Sequence, residues 1–84
     1  MLAVVFVSQS AAQECDFPAV KGKIDQILDR DKKLGEKFRK EVGGGEDSIE
    51  AINTLVDKPT RNMIELCRFH VAEYLAKRGY PPAH

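Results

Sequence analysis

Apolar residues recur at helical spacing through most of the chain. Phe17, Val20, Ile24, Ile27, Leu28, Leu34, Phe38 and Val42 fall on one stripe at about 3.6 residues per turn. Pro18 suits a first helical turn, and Asp16 ahead of it offers a capping carboxylate. Asp31 lies in the middle of the stripe, where a charge is costly to bury. The pattern therefore predicts either a break near Asp29–Lys33, with an aspartate capping a second helix, or a bend that turns Asp31 outward. Gly22 and Gly35 weaken the helix a little. Gly43-Gly44-Gly45 ends it, glycine being the residue that a left-handed C-cap favours.

Asp47-Ser48-Ile49-Glu50 resembles a capping box, with Asp47 in the usual Ser/Thr place. It predicts a short helix from Ser48 to Val56, with Ile49, Ile52, Leu55 and Val56 inward. Asp57-Lys58-Pro59-Thr60 breaks that helix. Thr60 is the expected N-cap of a last helix, Arg61–Arg78, with Met63, Ile64, Cys67, Val71, Tyr74 and Leu75 as its stripe. Gly79 stops it, with Tyr80 packing back on Leu75, and Pro81-Pro82-Ala83-His84 forms a tail. The expected fold is a small all-α domain of three or four helices. Phe69 falls on the opposite side from the stripe, beside Ala72 and Ala76. Either another element covers this face, the run Leu2–Val7 being one candidate, or Phe69, Ala72 and Ala76 meet a partner.

Length makes a staple valuable. Eighty-four residues form one domain with a modest core. With 43% apolar and 31% charged residues, the composition is globular. Thirteen basic and thirteen acidic residues cancel, so no long-range field draws the chain to nucleic acid or an anionic membrane. Locally the charge is uneven: residues 21–40 carry net +4 and residues 41–50 net −4. The basic residues between 30 and 40 have no aromatic neighbour except Phe38, which belongs to the core stripe. That pattern speaks against nucleic-acid binding.

Met1–Ala12 contains no charge. Leu2-Ala3-Val4-Val5-Phe6-Val7 is an apolar run, and Ser10-Ala11-Ala12 places small residues where a signal peptidase would cut before Gln13. We read residues 1–12 as a signal-peptide remnant and 13–84 as the helical domain, with a periplasmic or secreted location. A basic front region is missing, and the alternative for Leu2–Val7 is a strand or buried terminal segment. The run is too short for a membrane span of about 20 residues, so no stable anchor is expected after leader removal. In an oxidising compartment Cys15 and Cys67 pair. Closing a loop of that length stabilises by about 4 kcal/mol in the chain-entropy model, a large share of a total of about 5–15 kcal/mol.

Candidate chemistry is sparse. Cys67 and His70 are neighbours on one helix, and a zinc set would have to be completed from Cys15, Asp16 or His84. A single Cys-x-x-His pair does not make a tetrahedral site, and a Cys–His nucleophile would lack an orienting third group. The triple glycine is followed by Glu46 and Asp47 rather than by Lys-Ser/Thr, so it is no phosphate loop. The carboxylates are spread over helix faces, in pairs such as Asp29–Lys33, Glu36–Lys40 and Lys37–Glu41. No catalysis and no cofactor are expected.

Cys15-Asp16-Phe17, and Cys67 within a late helix, are similar to the surroundings of the two cysteines in the HdeA-type periplasmic acid-stress chaperones. The triple glycine and Tyr80-Pro81-Pro82 depart from that family's pattern. The resemblance implies an exported helical protein that loosens and exposes apolar surface in acid while its disulfide holds. Three functions fit these features. The first is an exported, non-enzymatic protein that binds another protein. The second is an acid-activated chaperone, and the third a metal or redox protein using Cys15, Cys67 and His70.

Overall fold

Asp16 opens the first helix, its Oδ1 accepting from the Ala19 N–H at 3.3 Å. In this computed structural model, residues 14–82 are described. Leu2–Val7, the expected cleavage point before Gln13, and His84 lie outside the described residues. Helix α1 spans Phe17–Asp25 and runs into a π-helical turn, Gln26–Arg30. There the ladder widens by one residue, with Asp31 N–H donating to Gln26 O at 2.8 Å. The wide turn carries the adjacent pair Ile27 and Leu28 both into the core.

Asp31 then leaves the helix in an extended conformation, and its Oδ1 caps α2 (Lys32–Gly43) through the Leu34 N–H at 3.0 Å. Of the two predicted solutions the chain adopts the break, because a capping carboxylate needs no burial. Helix α2 lies against the π-turn only because residue 35 is glycine. A Cβ there would come within 2.9 Å of the Ile27 carbonyl oxygen. Arg39 reaches over the same place and donates to Leu28 O at 3.4 Å.

The triple glycine closes α2 as predicted. Gly45 takes φ +104°, Gly45 N–H donates to Val42 O (3.0 Å) and Glu46 N–H to Glu41 O (3.1 Å), the two bonds of a Schellman motif. Helix α3 covers only Ser48–Asn53, capped by Asp47 through the Ile49 N–H at 3.0 Å. Leu55 and Val56 pack on the core from the turn beyond it. Glu50, expected to complete a capping box, instead lies 3.9 Å from Arg68.

Two expectations for the last helix are corrected. Its cap is Asp57, which accepts from the Thr60 N–H at 3.0 Å, so α4 starts at Lys58 with Pro59 in its first turn. Thr60 lies inside that turn and is buried. Asp57 prevails because its carboxylate stands three residues before an N–H that has no intrahelical acceptor. The expected single helix is also two, α4 (Lys58–Leu66) and α5 (Arg68–Lys77), parted at Cys67. A second Schellman closure follows α5 at Gly79 (φ +96°), with Tyr80 N–H donating to Leu75 O at 2.8 Å. The Tyr80 ring meets Phe38 edge-on at 5.1 Å, binding the chain end to α2.

The domain is all-α, with no strand among the described residues. Helix α1 packs on α4 and α5, while α3 bridges α2 and α5. Val20, Ile24, Phe38, Ile52, Ile64, Val71 and Leu75 are fully buried at their centre. Cys15 and Cys67 form a disulfide with Cα atoms 4.9 Å apart, tying the residues before α1 to the α4–α5 elbow. Among the described residues no helix is long and apolar enough to cross a membrane.

The close approach at Gly35 has a direct consequence. Gly35→Ala should destabilise the fold by about 1–3 kcal/mol, the usual cost of forcing an extra group into a filled space, despite alanine's better helix propensity. Urea unfolding of both proteins measures this. A stabilised alanine variant would show that the backbone yields freely at that contact.

Candidate functional site

The elbow carries the most exposed apolar surface of the described chain. Phe69 is 90% exposed and Leu66 is 52% exposed. They stand three residues apart on either side of Cys67, whose own side chain is buried. The elbow thus turns its sulfur inward and its two large apolar neighbours outward. Of the predicted face, Phe69 and Ala76 are exposed, whereas Ala72 is half-buried and packs against the core. Leu66 was not foreseen. Its signal was available, since it too falls off the Ile64–Cys67–Val71 stripe.

Charged groups sit close to this surface. Arg68 pairs with Glu65 at 2.9 Å and approaches Glu50 at 3.9 Å. Glu65 also accepts from Asn53 Nδ2 at 3.3 Å, which ties the end of α3 to α4. These are exposed pairs, worth at most about 1 kcal/mol each, and their effect is on orientation more than on stability.

On the other side of α5 a polar knot joins this helix to α1. Asp25 accepts from the Tyr74 hydroxyl, from Lys21 Nζ at 2.9 Å and from Arg78 Nη1 at 3.1 Å. Arg78 also reaches Asp29, with Nη2 2.6 Å from Oδ1. Partial burial pushes the Asp25 carboxyl up. Hydrogen bonds from Tyr74 and Lys21, and the positive charges of Lys21 and Arg78, outweigh this and hold it below the usual carboxylate value. The Asp29 hydrogen bond, followed by that of Tyr74, raises Arg78. The Asp25 hydrogen bond likewise raises Lys21. Hydrogen bonding from Thr60, side chain and backbone, lowers the Asp57 carboxyl. The three expected local pairs, Asp29–Lys33, Glu36–Lys40 and Lys37–Glu41, are not among the ion pairs formed; Asp29 serves Arg78 instead.

His70 is exposed, its ring 5.7 Å from Phe17, which in turn meets Tyr74 edge-on at 5.8 Å. The sulfurs of Cys15 and Cys67 are bonded to each other, so in this state neither is a thiolate ligand beside His70. Among the described residues no group of three or more His, Cys, Asp or Glu is placed to hold a metal ion. A cleft of about 160 Å³ opens where the π-turn meets the starts of α2 and α4. Ile27, Leu34, Leu55 and Val56 line it, together with Lys23, Asp31 and Asp57. Both of its carboxylates are engaged in helix caps.

No protein-family model matches the chain, and neither does any curated protein or solved structure.

The knot makes stability depend on pH in one direction. A carboxyl whose folded pKa lies below its unfolded value, about 3.9 for Asp, stabilises fully above that value. The contribution is lost as pH falls through the folded pKa. Stability should hold from about pH 7 to 5 and fall below about pH 4. Asp25→Asn should start lower at neutral pH and lose less on acidification. Urea titrations of both proteins across this range check it, and parallel curves would remove Asp25 from the account.

Proposed function

We propose that this protein is exported and non-enzymatic, and that it acts by binding another protein through the elbow face of Leu66 and Phe69, with Ala76 beside them. One observation carries the reading: Phe69 is 90% exposed, while Phe17, Phe38, Tyr74 and Tyr80 all pack on the core. Burying a side chain of that size is worth about 1.5–3 kcal/mol, enough to anchor a partner and of no use to the isolated fold. Export rests on the disulfide and on the apolar segment that ends in Ser10-Ala11-Ala12. The periplasm or the extracellular space is the setting this implies.

Phe69→Asp separates binding from folding. The ring meets water, so the variant should unfold within about 0.5 kcal/mol of the parent with an unchanged near-UV spectrum. It should no longer co-purify with the partner from the native compartment. A partner retained by the aspartate variant would refute this use of the face.

A second reading, an acid-activated chaperone, is favoured by the Asp25–Tyr74–Arg78–Asp29 knot. Acid discharges the Asp25 carboxylate, which holds α1 to α5 through Tyr74 and Arg78, while a disulfide survives acid. Loosening would bare the apolar core face of α5 on a chain still tethered at Cys67. Light scattering of an aggregation-prone client at about pH 2–3 decides. Suppression of scattering is the expected result under this reading, and a protein that stays rigid or protects nothing there has no such activity.

A further inference from the structure

No helix-breaking residue accounts for the elbow at Cys67. Between Thr60 and Arg78 the chain has neither proline nor glycine, and sharp kinks arise almost always at those residues, at π-bulges or at inserted groups. Nor does the break re-phase the apolar stripe. Ile64, Cys67, Val71 and Leu75 are all buried, and their spacing keeps a single face inward across it. The π-turn after α1 is different, because there the wider winding brings Ile27 and Leu28 inside together. At Cys67 the backbone nonetheless leaves the helix (φ −107°, ψ 22°). Its N–H reaches Met63 O at 3.2 Å and Ile64 O at 3.1 Å, and the ladder resumes with Val71 N–H donating to Cys67 O at 2.8 Å. Helix α5 starts there with no side-chain cap. What sets Cys67 apart from its neighbours is the bond to Cys15, the residue that leads into α1, and α1 packs on both α4 and α5.

We infer that the Cys15–Cys67 bond is what bends the chain, and that it works as a redox-sensitive hinge: with both sulfurs reduced, Lys58–Lys77 runs as one continuous helix. The opening step is thiol–disulfide exchange with a dithiol reductant. One thiolate of the dithiol attacks a protein sulfur and the other protein sulfur leaves as a thiolate. The second thiol of the reductant then resolves the mixed disulfide. Two electrons and two protons pass to the protein, which ends with two thiols, and the reductant ends as a disulfide. Cys15 is the more accessible end, being half-exposed where Cys67 is buried. Leu66 and Phe69 flank the hinge, so straightening moves them relative to each other. This last consequence, redox control of docking, rests on their face being the binding surface.

The hinge is tested without any partner. Residue-by-residue 13Cα shifts and amide exchange are compared between the oxidised protein and Cys15→Ala/Cys67→Ala. In the oxidised protein the helical shift should dip at position 67. In the variant it should run unbroken from 58 to 77, with protection of the Arg68 and His70 amides rising roughly tenfold or more. A folded variant with the same dip overturns the inference. Should the variant fail to fold, its shifts are read in trimethylamine oxide, which favours compact states, and anything short of an unbroken profile overturns it there. Binding by the oxidised protein is scored separately with Phe69→Asp. A rigid elbow therefore leaves the docking surface standing, and failed docking leaves the hinge standing.

Discussion

One covalent bond joins a residue just ahead of the first helix's cap to the residue between the last two helices. Cys15 and Cys67 lie 52 positions apart, and the bond removes from the unfolded chain the freedom to separate those points. In the chain-entropy model that is worth about 4 kcal/mol. The core it supports is small: among the described residues twelve apolar side chains are buried, contributed by every helix. Because Cys67 is itself one of the twelve, the bond lies inside the apolar cluster and positions α1 against α4 and α5. The Schellman closure at Gly79 and the Tyr80–Phe38 contact then fix the far end of α5 to α2. The polar knot secures the middle, so α5 is held at its start, along its length and beyond its end, each time by a different kind of interaction.

Much of this was legible because it is local. A cap needs a carboxylate or hydroxyl two or three residues ahead of a free N–H, and Asp16 and Asp47 could be assigned on that ground. So could the alternative of a break near Asp29–Lys33 capped by an aspartate, though not which aspartate. Thr60 was misassigned because two acceptable caps, Asp57 and Thr60, stand three residues apart. The choice between them depends on where Pro59 falls in the first turn. The π-turn left no mark in a pattern read at a single period, since its effect is to shift that period for one turn. Gly35 looked like a weak helix residue, and its meaning appears only once the Ile27 carbonyl is known to lie 2.9 Å from where its Cβ would be.

Long-range polar contacts were illegible for a different reason. Tyr74 and Arg78 meet Asp25 and Asp29 across about half the chain, and no periodicity links them. Asp29 and Lys33 stand at the four-residue separation that favours a helix pair, but an exposed lysine on a flexible stem competes poorly with Arg78. The guanidinium of Arg78 is planar and already oriented by Tyr74 and Asp25. The elbow was hidden likewise. Every residue of Thr60–Arg78 favours or tolerates a helix, and a tether from elsewhere in the chain has no local signature at the point where it pulls.

Phe69 could be picked out in advance as lying off the core stripe, together with Ala76, and the reason is general. Positions that build a core repeat with the helix, so a large apolar residue out of phase has no role in that repeat. Leu66 shares the violation, which makes the pair a feature of one surface rather than a stray side chain. Leaving two such residues in water gives the isolated domain nothing, since the hydrophobic term is gained only on burial. The same bond that holds the core also fixes where these two residues point, for the chain turns between them at the residue bound to Cys15. Stability and presentation of the surface are therefore coupled at Cys67, and a change that acts on the sulfur acts on both.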